Sequence, residues 1–230
     1  MKSSHLIHIL LFILFFASCG RSSRNKYDES KAIDSCVVYK PLSKHITECR
    51  KRKPKYIVIH YTAGRSSKSG KAESLYDVFL SKKASTDFAV DDKHIVQFNP
   101  DIDNYYCWAV GDNKKKSTSG ASFYRKATNK NTINIEICSN LKLGTSSEIA
   151  NHSGWYFSEA SLENAVKITK IIMKKYHIPI ENVLRHYDVT GKVCPGIIGW
   201  NNEVIYKKGK KTKEKSKNHK WKEFKKKLMD

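Results

Sequence analysis

Two histidines and a cysteine in this 230-residue chain stand at the ends of expected strands or just after them. His60 closes the apolar run YIVIH, His186 closes NVLRH, and Cys194 follows eight residues later in HYDVTGKVCPG. Imidazole and thiolate are both zinc ligands, and a catalytic zinc site typically takes three protein ligands and keeps a fourth position for water. This set supplies that number. The histidines lie 126 residues apart, so adjacent strands must bring them together, and a turn over residues 188–191 must fold Cys194 back. Each residue taken alone has a plainer reading. A strand-end histidine is usually satisfied by hydrogen bonds, and a cysteine in an exported protein is often half of a disulfide.

The elements that would position these residues follow from periodicity. YIVIH is a short β-branched run of the kind found in a buried strand. The Gly- and Ser-rich TAGRSSKSGK after it reads as a loop, and residues 73–81 carry helical spacing at Leu75, Val78 and Phe79. DFAV and HIVQF flank Asp91-Asp92-Lys93 as a hairpin, YYCWAV is a further strand, and residues 111–131 form a polar loop. TINIEIC alternates Ile133, Ile135 and Ile137 with polar residues, so Glu136 should point away from the isoleucines. Ser158 is a predicted N-cap for a helix running to about residue 177, with Leu162, Val166, Thr169, Ile172, Met173 and Tyr176 along one face. NVLRH reads as the last strand, and Trp221, Phe224 and Leu228 stand at helical spacing in a docked C-terminal helix. Strands mixed with helices predict an α/β fold: a single domain with a central mixed β-sheet flanked by α-helices.

Three segments, YIVIHYTAG, NTINIEICSN and RHYDVTGKVCPG, occur in an order that resembles the motifs of the type-2 N-acetylmuramoyl-L-alanine amidase family. That family shares its fold with phage amidases and peptidoglycan recognition proteins. The similarity runs over residues 55–206, and WKEF at Trp221 resembles the family's final helix. The resemblance implies zinc bound by His60, His186 and Cys194, with catalytic roles for Glu136 and Lys192. Zinc acidifies water and polarises a carbonyl. Glu136 is the candidate general base, moving a proton from water to the leaving amine, and Lys192 the candidate oxyanion stabiliser. Read locally, Glu136 is a solvent-facing strand residue and Lys192 one lysine among many.

The pattern also departs from the family. Many relatives read Ser-Ala-His-Tyr where this chain has Ser85-Thr86-Asp87-Phe88, and some place a catalytic tyrosine near Thr86. Threonine cannot replace a phenol as acid or base, so more rests on Glu136. Ala109 follows Trp108 where many relatives have Trp-His, which bears on stem-peptide preference. Trp108, His152 and Trp155 offer faces for a sugar–peptide groove or for core packing. His45, His94, His177 and His219 read as structural or surface residues.

Composition bounds the rest. Hydrophobic residues at 40%, with 12 Tyr, 9 Phe and 4 Trp, exclude wholesale disorder. The formal charge of +21 favours polyanions. Residues 207–230 carry 12 Lys against 3 acidic residues, a net +9, and 207–217 read as a mobile, solvated Lys-rich segment ahead of a helix over 218–230. The tail KKGKKTKEKSKNHK lacks the interleaved aromatics of a single-strand-binding surface, which disfavours nucleic acid and leaves anionic envelope polymers or lipid as partners beside peptidoglycan or muropeptides.

Residues 1–18 read as a signal peptide, with 12 residues in the apolar run LIHILLFILFFA, too few for the ~20 of a spanning helix. FASCG resembles a bacterial lipobox and implies lipidation at Cys19, a tether over 19–35, a zinc amidase domain over 36–206, and a place in the bacterial cell envelope. Ordinary secretory cleavage or an uncleaved anchor are the alternatives. Export makes disulfides possible, with Cys36 to Cys49 a plausible short loop. Three functions remain open: zinc-dependent hydrolysis of the amide between N-acetylmuramic acid and L-alanine, a non-catalytic peptidoglycan-binding recognition protein, and an envelope adaptor acting through its basic tail.

Overall fold

The computed structural model describes residues 29–64, 72–145, 149–208 and 210–230. The expected leader, Cys19 and most of the TAGRSSKSGK loop lie outside the described residues. The strands and helices, in chain order, are β1 (Val38–Tyr39), β2 (Ile46–Glu48), β3 (Tyr56–Tyr61), α1 (Leu75–Ser81), β4 (Phe88–Val90), β5 (Ile95–Gln97), β6 (Tyr105–Cys107) and β7 (Thr132–Ile137). They continue with β8 (Asn140–Leu141), β9 (Trp155–Tyr156), α2 (Glu159–Tyr176), β10 (Val183–Arg185), α3 (His186–Thr190), β11 (Val204–Lys207), β12 (Lys210–Lys215) and α4 (His219–Met229).

Six strands form the central sheet in the order β1-β5-β4-β7-β3-β10. β4, β7, β3 and β10 run parallel, and β5 pairs antiparallel with β4 through the predicted hairpin. The sheet is therefore mixed, as expected. Parallel strands need covering on both faces, and alternation divides β3 and β7 cleanly between two covers. Ile57, Ile59, Ile133, Ile135 and Ile137 point into one core with Ala165, Ile168 and Ile172 of α2. At about 1.5–3 kcal/mol for each fully buried large aliphatic side chain, this face supplies much of the folding drive. On the other face Val58 meets Val110, Ala127, Leu184 and Val189 in a smaller cluster.

Ser158 does cap α2, its Oγ accepting from the Ser161 N–H. The buried stripe runs through Ser161, Ala165, Ile168, Thr169 and Ile172, whereas Leu162, Val166, Met173 and Tyr176 lie at its margin. The small residues Ser161 and Ala165 bring the helix close to the sheet, which a reading weighted by side-chain size overlooks.

Several expectations are corrected. NVLRH stops being a strand at Arg185, and the expected turn after His186 is a short helix, α3, ended by Gly191 in the left-handed region at φ 80. Asp188 starts α3 by accepting from the Arg185 backbone N–H at 2.8 Å, an interaction periodicity cannot reveal in five residues. β10 is not the last strand either. The segment expected to be mobile forms β12, paired antiparallel with β11, and Thr212 Oγ1 donates to the Ile205 carbonyl. Its lysines remain solvated, but the backbone is paired. YYCWAV yields β6, which pairs with β2 outside the main sheet.

The end of the expected tether is docked: the Ile33 N–H donates to Gln97 Oε1, and Gln97 Nε2 donates to the Lys31 carbonyl. All five described cysteines are free thiols. Cys36 packs on the main core beside Lys167 of α2, whereas Cys49 N–H bonds the Asn104 carbonyl ahead of β6, so the expected short disulfide loop does not form. The C-terminal helix docks as predicted. Trp221 and Phe224 lie 5.7 and 5.4 Å from the Trp200 ring, and the Arg185 guanidinium stands over Trp221 at 5.3 Å. No described helix is long and apolar enough to cross a membrane.

Candidate metal centre

The parallel register of β3 and β7 sets His60 directly beside Glu136, with Val58 beside Asn134. Alternation turns His60, Asn134 and Glu136 to the face opposite the isoleucines. On the far side of β3, the chain leaves β10 at Arg185 and immediately presents His186. The return of Cys194 is fixed by hydrogen bonds rather than by the strand: Tyr187 N–H donates to the Cys194 carbonyl at 3.0 Å, and Gly191 N–H to the Tyr187 carbonyl at 3.0 Å. A Cβ at Gly191 would meet Thr118 Oγ1 at 2.6 Å, so both φ and space call for glycine there.

His60, His186 and Cys194 thus converge, all three buried, with their ligand atoms within 4.8 Å of one another. The hydrogen bonds settle which atoms they offer. His186 Nε2 faces the Val110 carbonyl at 2.9 Å, an acceptor only, so Nε2 carries the proton and Nδ1 the lone pair. That Nδ1 is buried without a hydrogen-bond partner. His60 Nε2 faces Asn134 Oδ1 at 3.1 Å, leaving its Nδ1 turned to Cys194 Sγ at 3.9 Å. An orphaned buried lone pair is costly in a polar group, and three donors aimed at one point fit a tetrahedral divalent ion with N/S preference.

Electrostatics agree. Burial, followed by the neighbouring His186, holds His60 well below the usual histidine range, and burial with the positive Lys192 brings His186 down to about 4. Both rings are neutral at physiological pH, the form that binds metal. Burial pushes the Cys194 thiol up to about 12, so an ion must displace its proton.

Glu136 Oε1 lies 3.9 Å from His60 Nδ1, and its buried Oε2 has no hydrogen-bond partner. The side chain keeps 19% of its surface open to solvent. Burial raises Glu136 to about 7, against the opposing pull of Lys192. Lys192 is exposed two residues before Cys194, close enough for its charge to act on all three expected ligands and on Glu136. The structure therefore brings together every expected site residue within the described region.

A model described as N-acetylmuramoyl-L-alanine amidase matches residues 50–197. The chain belongs to this amidase family. Among related amidases, CwlA of Bacillus subtilis (strain 168) is 32% identical over 143 residues, covering 62% of this chain and 43% of the relative. CwlL of Bacillus licheniformis is 27% identical over 145 residues, covering 61% and 36%. The chain thus spans less than half the length of these curated relatives. In fold it is similar to a mutant endolysin from Bacillus subtilis, at 24% identity and TM-score 0.53 over 84% of this chain and 97% of that one. A mutant structure of PlyL gives 23% and 0.52 over 84% and 98%. The β11–β12 hairpin and α4 lie beyond the residues matched by the amidase model.

Two cavities lie near α3 and the segment that follows it, and none of His60, Glu136, His186, Lys192 or Cys194 lines either. One of about 380 Å³ is lined by Val189, Thr190, Gly111 and Tyr124. The other, about 360 Å³, runs past Val193, Asn151, Tyr206 and Lys211, so the hairpin walls it. The aromatic residues considered for a groove divide between core and surface. Trp155 is buried against Tyr61, His152 is buried, and only Trp108 is exposed, with Nε1 bonded to Thr47. Thr86, where some relatives have tyrosine, is buried and donates to the carbonyls of Phe88 and Asn134. His45 bonds the Phe79 carbonyl, His94 sits between Glu73 and Asp91, His177 ends α2, and His219 bonds the Lys217 carbonyl, all structural positions. Sequence reasoning missed Asp87, Arg52 and Asn134, the buried polar residues behind His60; the only local signal was an acidic residue within the otherwise apolar DFAV.

Proposed function

We propose that this chain hydrolyses the amide between N-acetylmuramic acid and L-alanine in peptidoglycan, using a zinc ion held by His60, His186 and Cys194. The observation that carries the reading is the convergence of two histidine lone pairs and a buried thiol beside a carboxylate, with His186 Nδ1 lacking any protein partner. The bound ion supplies a Lewis acid that acidifies water and polarises the amide carbonyl. Glu136, beside His60 with one buried oxygen unpaired, is placed to accept a proton from the attacking water and return it to the alanine nitrogen as C–O forms and C–N breaks. The Lys192 ammonium, at the exposed edge of the site, offsets the negative charge that develops on the carbonyl oxygen. A recognition protein that only binds would not need this donor set intact.

The same reading includes an exported protein, cleaved after a leader over 1–18 and lipid-anchored at Cys19 in the bacterial envelope, with the basic tail against anionic polymer or lipid. Cys19→Ala should abolish labelling by a radioactive fatty acid.

Mass spectrometry of a peptidoglycan digest tests the activity. Free lactyl groups and peptides with N-terminal alanine are expected; chelator should abolish them and zinc restore them. Cys194→Ser should lose zinc and activity together, and a digest cut at any other bond would sink the reading.

A further inference from the structure

Behind the ligand cluster lies a layer of buried polar groups that the reaction does not touch. Asp87, fully buried just ahead of β4, is surrounded by donors. Its Oδ2 accepts from the Asn134 backbone N–H at 2.8 Å and from Asn134 Nδ2 at 3.0 Å. Its Oδ1 accepts from Asn99 Nδ2 at 2.6 Å and Arg52 Nη1 at 3.3 Å, and the Cys107 thiol also lies against it. Arg52 has no exposed side-chain surface and donates as well to the carbonyls of Ile102, Tyr105, Lys130 and Thr132. The carboxylate is held from both ends.

This arrangement dictates how Asn134 is turned. Around Nδ2 stand Asp87 Oδ2, the Thr132 carbonyl at 3.4 Å and Thr132 Oγ1 at 3.3 Å, three groups able to accept. That end must be the NH2, so Oδ1 points at His60 Nε2. A neutral imidazole carries one proton. With Oδ1 accepting, the proton sits on Nε2 and the lone pair on Nδ1, towards Cys194. A flipped amide would aim an N–H at Nε2, drive the proton to Nδ1 and remove the ligand.

We propose that Asp87, braced by Arg52 and acting through Asn134, is a positioning residue that holds His60 in the tautomer able to bind zinc through Nδ1. The inference rests on reading His60 as a ligand, but its first test needs no metal. Long-range ¹H–¹⁵N correlation spectra of the metal-free full chain should place the His60 proton on Nε2; a proton on Nδ1 overturns the proposal. Asn134→Leu and Asp87→Asn should then bind Zn²⁺ about 10–100-fold more weakly, the usual loss when an outer partner of a ligating histidine is removed. Their Co²⁺ absorption bands should shift. Asn99→Ala, which removes a donor from the same carboxylate without touching Asn134, should lower the melting temperature but keep wild-type metal affinity and spectrum. Wild-type affinity in folded Asn134→Leu overturns the proposal, and if the variants do not fold the wild-type tautomer decides. A wild-type chain that binds no zinc would sink the ligand reading alone, leaving the tautomer result to judge the relay.

Discussion

The two faces of β3 and β7 are made by the same strands and obey different rules. Towards α2 the fully buried positions are aliphatic and interchangeable in kind: Ile57, Ile59, Ile133, Ile135 and Ile137 need only fill space. On the reverse face His60, Asn134 and Glu136 each need particular neighbours, and Glu136 and His186 are left with buried atoms lacking hydrogen-bond partners. One face contributes stability by area. The other gives some of it up to keep lone pairs available, the usual trade at a functional site.

Adjacent residues sharpen this contrast most. Glu136→Ala should lower turnover by about 10²–10⁴-fold, the range for a lost general base, while zinc content stays near wild type. Full activity in that variant would remove Glu136 from the mechanism. Ile135→Ala, one residue away and pointing at α2, should lose about 2–5 kcal/mol in denaturant unfolding with zinc affinity unchanged.

A smaller effect is tied to pH. Glu136 rises on folding from its ordinary 4.5 to about 7, so its folded form disfavours charge. The metal-free protein should therefore have full stability from this group below about pH 4.5 and lose it progressively as pH climbs to about 7. The loss is about 3 kcal/mol at ~1.4 kcal/mol per unit. Glu136→Gln should abolish that slope, leaving the variant the more stable protein at pH 8 and level with wild type at pH 4. Thermal melts of metal-free protein across this range decide the point, and parallel curves would place Glu136 in a more polar setting. The smallest effect belongs to the apolar side: Ser158→Ala removes the α2 cap and should cost about 1 kcal/mol, with no change in the digest products.

Much of the site was legible because its residues sit in segments with strong local signals. Ile133, Ile135 and Ile137 alternate, so the strand and the opposite orientation of Glu136 follow from a period of two, and Trp221, Phe224 and Leu228 follow from helical spacing. Less was legible where pairing between distant residues decides. The paired backbone of Lys210–Lys215 comes from contact with β11, not from lysine's own preference. The five-residue α3 is too short to show a period and owes its start to Asp188.

The sequence by itself determined the amidase family, the α/β class and the candidate site residues, because strand periodicity and short motifs are local properties of the chain. Only the tertiary structure decided the register that sets His60 beside Glu136, the burial that moves Glu136 and Cys194, and the chain of Arg52, Asp87 and Asn134 behind His60. Those links join residues 35 to 80 positions apart. A hydrogen bond across such a gap depends on where the fold places both partners, and no window of sequence contains them together.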